Sequence, residues 1–524
     1  MATSVEAFPR GMTIGEQLAR NARRVPDAIA FQMGAMRRSF AEIDGRVTRL
    51  AQALAARGVR HGDRVAVLMT NSIEMVEAFV AVVRLGAICV PVNFRLVAPE
   101  VAYIVGNCGA RVVIVDGALV PLVAPLKDAD GAALRLIVRE PAAALRGAEE
   151  YEQVLAAAAA TPVQAQVGEN DAAFIMYTSG TTGRPKGAVL SHFNLFMNTV
   201  NMFVALEIMA SDRCWLGALP LFHIAGLNGI LPNLCVGGKS VLLHSGAFDP
   251  AEVVDILERE QVTSCFFVPT QWQAICAVPG VRSRKFALER ISWGASVTPP
   301  SVLKSLGETF PGARSYNAFG QTEMSSITCA MRVDRHPEKL GSIGKAVPNV
   351  EVRVVDDQMR DVPPGEIGEI VYRGPTTLLG YWNMPEATAE AFAGGWFHSG
   401  DLVRADADGF LYVADRKKDM IISGGENIYC PEVEAAIDAH PAVREVAVIG
   451  VSHPKWVETP VAIVAAHDPA APPSEAEIIE WCRTRLASYK KPSRVFFVDA
   501  LPRNASGKVL KPKLRDAFGN NSAA

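Results

Sequence analysis

Between residues 40 and 275, short apolar runs rich in β-branched residues alternate with longer segments whose apolar positions recur every three or four residues. The runs include RVAVLM (64–69), AICVPV (87–92), ARVVIVD (110–116), LRLIVRE (134–140), AAFIMYTSG (172–180), SVLLH (240–244) and TSCFFVP (263–269). Segments such as TRLAQALAARGV (48–59) carry the helical period. This alternation predicts an α/β fold, parallel sheets covered by helices. The Ala-rich stretch 149–166 has few residues able to build a core face, and predicts a connecting helix and linker.

Past residue 350 the texture changes. VEVRVVDD, GEIGEIVYRG and GFLYVADR are short strands broken by Gly and Pro, which predicts a small antiparallel sheet or barrel. A compact tail follows, with a helix at 431–440 opened by Pro431, strands at 445–451 and 459–468, a helix opened by a capping box from Ser474 to Glu477, and a strand at 494–500. Such a tail can fold as a separate α+β domain. The boundary falls near Lys418, so the chain divides into 1–417 and 418–524.

Composition narrows the chemistry. The 524 residues are 49% hydrophobic and 20% charged with a formal net charge of -3, which argues against a nucleic-acid partner. Nine cysteines without a C-x-x-C pair point to a reducing cytoplasm rather than a disulfide framework or zinc site. No signal peptide and no membrane-spanning apolar run is expected.

The stretch YTSGTTGRPKGAVLSH (177–192) concentrates glycines, hydroxyls and one lysine after an apolar strand. It is not a Walker loop: Gly180 and Gly183 are too close, Pro185 precedes Lys186, and no Ser or Thr follows the lysine. Hydroxyls of Thr178, Ser179, Thr181 and Thr182, backbone N–H groups freed by the glycines, and Lys186 still suit a triphosphate whose outer part leaves.

This loop resembles the signature of the adenylate-forming superfamily, which holds acyl-CoA synthetases, peptide-synthetase adenylation domains and firefly-type luciferases. Further motifs match in family order along nearly the whole chain: LPLFHIAG (219–226), WGASV (293–297), FGQTE (319–323), WFHSGD (396–401), DRKKDMIISGGEN (415–427) and PRNASGKVLKPKLR (502–515). The resemblance implies a large N-terminal domain of stacked sheets with a small barrel-like unit, and a small mobile C-terminal domain. It also implies an AMP-forming reaction that uses ATP, Mg²⁺ and CoA.

On this resemblance, Thr178 to Gly183 and Lys186 hold the outer phosphates, Thr322 meets the α-phosphate, and Glu323 binds the metal. Phe319 and Gly320 lie at the adenine, with Gly294, Ala295 and Ser296 opposite. Most members carry Tyr at the Phe319 position and Pro at the Val297 position. Asp401 takes the ribose, Arg416 contacts ribose or phosphate, and Lys508 neutralises charge between carboxylate and α-phosphate. Lys418 is the hinge, and Gly424, Gly425 and Trp456 belong to the CoA channel, where Val457 replaces a usual Gly. His223 positions or gates the acyl passage.

The partners are then a small carboxylic acid, ATP and CoA, with a homodimer left open. Segment 222–234 offers no carboxylate for an amino acid's ammonium, which disfavours amino-acid activation. Candidate acyl-pocket residues are Ile224, Ala225, Gly226, Phe267, Trp272 and Ala318, with Gly229 adding room. The wording of FGQTEMS and MIISGGENIYC is similar to bacterial and mycobacterial fatty-acid–CoA ligases, which makes a medium- or long-chain acid the first expectation. Cinnamate, coumarate, ferulate or benzoate is the second. A different-class alternative is a non-catalytic nucleotide-binding regulator.

Overall fold

The structure is a computed structural model that describes residues 11–128, 130–141, 147–178, 185–208, 214–294, 298, 300–423, 426–454, 456–503 and 508–519. By internal contacts the chain forms two compact units, 1–351 with 373–395, and 352–372 with 396–524.

Two mixed sheets build the first unit. In one, the six strands Ala172–Thr178, Ile88–Pro91, Arg64–Leu68, Val112–Asp116, Arg135–Arg139 and Ala148–Glu150 are parallel neighbours. Lys186–Ser191 and Gly380–Tyr381 extend that sheet antiparallel. The other sheet is parallel from Arg314–Gln321 through Arg290–Gly294, Ser264–Phe266, Cys214–Gly217 and Lys239–Leu242 to Ile29–Met33, with antiparallel strands at both ends. The expected α/β architecture is therefore present. Several strands read as unbroken apolar runs because Val112–Asp116 and Ile88–Pro91, for example, are buried on both faces.

The helix Ile73–Arg84 is buried nearly all round. Its Phe79 packs edge-on against Phe174 at 5.6 Å, anchoring the strand that leads into the glycine-rich loop. Its Glu77 is fully buried and is matched by Arg46 at 2.6 Å and the Tyr151 hydroxyl at 2.9 Å, so the charge is not left unpaired. The predicted connecting helix is the short Tyr151–Ala157.

In the second unit, Ile367–Arg373, Phe397–Ala405 and Leu411–Arg416 form the expected antiparallel sheet, with Glu351–Val355 at its edge. A second sheet is centred on Val457–Ala466, with Val443–His453 antiparallel to it at the edge and Arg494–Phe497 parallel to it. Alternation along Val457–Ala466 feeds two cores. Ala462 and Val464 pack with Val433, Ile437 and Ile478 of the helices Cys430–Asp438 and Glu475–Arg483. Val461 and Ile463 pack with Leu514 of Lys511–Phe518. Each fully buried side chain of this kind contributes about 1.5–3 kcal/mol. The capping box at Ser474 is half formed: Ser474 accepts from the Glu477 N–H, while the Glu477 carboxylate lies 3.4 Å from His440 Nε2. The histidine competes for the carboxylate that the local motif reserves for the backbone.

Candidate active site

The strands Ala172–Thr178 and Lys186–Ser191 pair antiparallel, with Thr178 directly opposite Lys186. The expected phosphate-loop residues Ser179, Gly180, Thr181, Thr182 and Gly183 lie outside the described residues. Their flanks are well secured. Tyr103 donates to the Pro185 carbonyl at 3.2 Å, and Tyr177 donates to Asn107 at 2.6 Å. Gly187 is required here, because a Cβ would come within 2.7 Å of Ile175. At the end of the motif, Ser191 caps the following helix in a reciprocal box with Asn194. His192 is buried, and burial pulls its pKa down to about 4, so it is a neutral structural residue.

Thr322 and Glu323 follow the strand Arg314–Gln321. Gly320, next to them, tolerates no side chain: a Cβ would fall 1.7 Å from the Ser326 carbonyl oxygen of the neighbouring strand. The strand register shifts between Phe319 and Gly320, which turns the chain into the short 3₁₀ segment Thr322–Met324. Glu323 Oε1 accepts from Thr178 Oγ1 and from the Tyr381 hydroxyl, both at 3.2 Å. Lys186 Nζ lies 5.1 Å from the centre of the Tyr381 ring. Burial, and then the Glu323 charge, push the Tyr381 pKa up, so its hydroxyl remains a donor.

These contacts gather Thr178, Lys186 and Glu323 as expected and add Tyr381, which sequence reasoning missed. Its signal was the Gly-Tyr-Trp triplet at 380–382, whose first two residues form an edge strand on Ala188 and Val189. Among the described residues, no three His, Cys, Asp or Glu side chains form a metal cluster. One carboxylate with neighbouring hydroxyls fits Mg²⁺, which takes few protein ligands and completes its shell with phosphate oxygens and water.

On the adjoining strands, Gly294 again has no room for a Cβ, which would lie 2.1 Å from the Ala318 carbonyl oxygen. Ala295 and Ser296 fall outside the described residues. His223 is the N-cap residue of the helix Ile224–Val236, and its carbonyl accepts from the Gly226 and Leu227 N–H groups. Gly226 lets the preceding turn close, since a Cβ there would meet the Pro220 carbonyl oxygen at 2.1 Å.

A pocket opens along this helix. Ala225, Asn228, Gly229, Pro232 and Asn233 present one face to it, opposite Phe266, Ser292 and Ala318 of the sheet. Of the expected pocket residues, Ala225, Gly229 and Ala318 line it, whereas Ile224 and Gly226 do not. Phe267 and Trp272, expected as walls, are fully buried in a core cluster with Phe310, and their rings meet at 5.0 Å. The reason is strand alternation. Ser264 and Phe266 face the pocket, so Cys265 and Phe267 turn the other way.

The second unit holds its own cluster. Asp401 and Arg416 are cross-strand partners, and the Arg416 guanidinium pairs with Asp401 Oδ1. Asp401 is 2% exposed, and its Oδ2 has no hydrogen-bond partner among the described residues. Burial pushes its pKa up, against the pull of Arg416 and then Lys508. An orphaned buried carboxylate oxygen is costly. A ribose hydroxyl is a donor of the kind it lacks.

Lys508 as a whole residue is exposed, but its ammonium end is crowded. Loss of water around the ammonium, and then the positive Arg416, pull its pKa down to about 8, against Asp401 and Asp419. Lys418 is exposed in a turn whose Asp419 and Met420 N–H groups both donate to the Arg416 carbonyl. Asp415 braces this turn by accepting from the Arg416 and Cys430 N–H groups, and Asp419 pairs with Arg515 at 2.7 Å. Gly424 and Gly425 lie outside the described residues. Trp456 is 44% exposed, and the neighbouring Val457 pairs with Ser423. Val457 has a φ of 71°, in the left-handed region where the family's usual Gly is at ease.

A family model described as AMP-binding enzyme matches residues 18–382, and one described as AMP-binding enzyme C-terminal domain matches residues 432–508. The chain is 43% identical over 512 residues to a feruloyl-CoA synthase from an Amycolatopsis species, covering 97% of this chain and all of that one. It is 36% identical over 488 residues to a long-chain-fatty-acid–CoA ligase from Mycobacterium tuberculosis, covering 92% and 93%. Among solved structures, o-succinylbenzoate–CoA synthetase from Bacillus subtilis in complex with ATP and magnesium ion aligns with a TM-score of 0.83 and 32% identity, covering 95% of this chain and 99% of that one.

Proposed function

Since the chain belongs to the AMP-binding enzyme family and is an AMP-forming acid–thiol ligase, we propose that its acid is an aromatic carboxylic acid of the arylpropenoic type and that the residues gathered above divide the reaction between them. In the first half-reaction a carboxylate oxygen bonds to the α-phosphorus of ATP, and the bond from that phosphorus to the pyrophosphate oxygen breaks. In the second, the CoA sulfur bonds to the acyl carbon, AMP leaves with its phosphate oxygen, and the thiol proton passes to solvent.

The first half-reaction brings two anions together. Lys508 supplies positive charge where they meet, and its work is electrostatic. Thr322 donates to the α-phosphate, while Thr178 and Lys186, with the loop between them, hold the outer phosphates. Glu323 would hold Mg²⁺, with Thr178 and Tyr381 orienting its carboxylate; when bound, the ion offsets phosphate charge. Phe319 stacks on adenine beside Gly294, and Asp401 accepts from the ribose while Arg416 pairs with its other oxygen. The observation that carries the nucleotide assignment is the unpartnered Oδ2 of buried Asp401.

The segment 418–524 turns about Lys418 between the two half-reactions, after which Gly424, Gly425 and Trp456 line the path of the thiol. We place the enzyme in the cytoplasm.

Sequence wording alone put a medium- or long-chain fatty acid first. The pocket favours the aromatic reading, because Asn228, Asn233, Ser264 and Arg290 interrupt its apolar lining. A plain alkyl chain offers such a lining no hydrogen bond, whereas a polar substituent on an aromatic acid does. The test is AMP and pyrophosphate release with ATP and Mg²⁺, with and without CoA, across saturated acids of increasing length and across benzoate, cinnamate, coumarate and ferulate. A CoA-dependent maximum among the arylpropenoic acids is expected. A maximum among the aliphatic acids restores the fatty-acid reading, and ATP binding without AMP from any acid points to a regulator.

A further inference from the structure

The pocket contains two buried polar atoms that have no hydrogen-bond partner among the described residues. Trp215 Nε1 is a donor and Asn228 Oδ1 an acceptor, and both residues line the pocket. The Asn228 amide is oriented by its other end. Its Nδ2 donates to Asn198 Oδ1 at 3.0 Å and to the Ser325 carbonyl, so Oδ1 remains as the acceptor. Gly229 lies against the indole, where a Cβ would sit 3.1 Å from Nε1. An unpaired buried donor and an unpaired acceptor lining one pocket cost stability unless a ligand or water supplies their partners.

Their place in the sheet gives the site a direction. Trp215 is in register with Ser264, and Ser264 with Arg290, so these three residues form one row across the parallel strands. Gly294, at the nucleotide end of the same strand as Arg290, is four residues further on, about 13 Å away along the strand. The Arg290 row therefore meets the end of the acid remote from its carboxylate. Arg290 is 2% exposed and donates to the Glu207 carbonyl at 3.5 Å, which keeps a cation at the pocket wall. Phe266, Ala225 and Ala318 form the apolar stretch before that row.

Resting on the reading of this pocket as the acyl site, we propose that its deep end is a hydroxyl-recognition subsite. Trp215 Nε1–H donates to the oxygen of a hydroxyl carried on the far side of the acid's ring, Asn228 Oδ1 accepts that hydroxyl's proton, and Arg290 favours the oxygen electrostatically. The substrate class is a ring-hydroxylated arylpropenoic acid. An unsubstituted ring would displace any water there without replacing its hydrogen bonds, and so would bind less well.

The test compares 4-hydroxycinnamate with cinnamate on the full-length protein, by calorimetric titration and by CoA-dependent AMP release, for wild type and Trp215→Phe. The wild type is expected to prefer the hydroxylated acid by roughly 10- to 100-fold in kcat/KM, with a matching difference in Kd. In Trp215→Phe, which keeps a flat ring and removes the N–H, that ratio collapses toward one. Equal use of the two acids by the wild type overturns the proposal, as does a ratio unchanged in Trp215→Phe. If Trp215→Phe does not fold, Arg290→Met takes its place under the same criterion. If no acid yields AMP, the ligase reading fails by itself and the titration decides the subsite: tighter binding of the hydroxylated acid supports it, and equal or absent binding overturns it.

Discussion

At the scale of single residues, charge and backbone angle decide behaviour. Lys508 sits in a segment whose polarity reads as solvent-exposed, and only the fold, by stripping water from its ammonium and setting Arg416 beside it, brings its pKa down to about 8 against the pull of Asp401 and Asp419. The sign follows: the amine loses its charge as pH rises through about 8, and the adenylation half-reaction should lose kcat/KM over that range. Lys508→Ala should cut pyrophosphate release by more than about 100-fold while sparing thioester formation from supplied acyl-adenylate. Equal loss of both half-reactions would show that the lysine serves the fold or CoA instead. Val457 is a different case. A β-branched residue at a φ of 71° is strained, and at 69% exposed it has little packing to lose. Val457→Gly should relieve about 1 kcal/mol of strain, partly offset by glycine's entropy, and raise Tm by about 1–2 °C in a thermal melt. Sequence comparison singles out the position, but only the backbone angle explains why Gly is the easier occupant.

At the scale of elements, glycines mark where two strands or a strand and a turn come closer than side chains allow. Gly320 lies in a strand whose register shifts beside it, and that shift delivers Thr322 and Glu323. Gly320→Ala should reduce adenylation by at least about 100-fold or prevent folding, since the Ser326 carbonyl leaves a Cβ no space. Gly307→Ala is the matched control. It lies exposed in the helix Pro300–Thr309 with nothing within 4 Å of a Cβ, and should stabilise by up to about 1 kcal/mol. A denaturant melt of both variants separates the two kinds of glycine. Strand alternation was harder to read. In SCFF at 264–267 both phases carry an aromatic, so the side that meets the pocket is fixed only when Cys265 and Phe267 join the core. Arg290 opens a strand, where a charged residue reads as surface, yet it is buried at the pocket wall.

At the scale of the whole molecule, the proposed turning of segment 418–524 yields a separable phenotype. The bonds that hold this turn run from the Asp419 and Met420 N–H groups to the Arg416 carbonyl. Lys418→Pro fixes φ at this position, and should leave single-turnover pyrophosphate release within about threefold while slowing thioester formation by about tenfold or more. Equal effects on both steps in rapid-quench measurements would rule out a hinge at this position. The sequence by itself determined the α/β class and the order of the motifs, and it nominated most of the residues proposed to face ATP, because hydrophobic period and short motifs are local properties written along the chain. Tertiary structure alone decided that Tyr381 orients Glu323, that Phe267 and Trp272 belong to the core, and that Trp215, Asn228 and Arg290 meet at one pocket. Each of those outcomes depends on which distant strand lies alongside and which face is turned inward, and such pairing free energies are not encoded in any local stretch of residues.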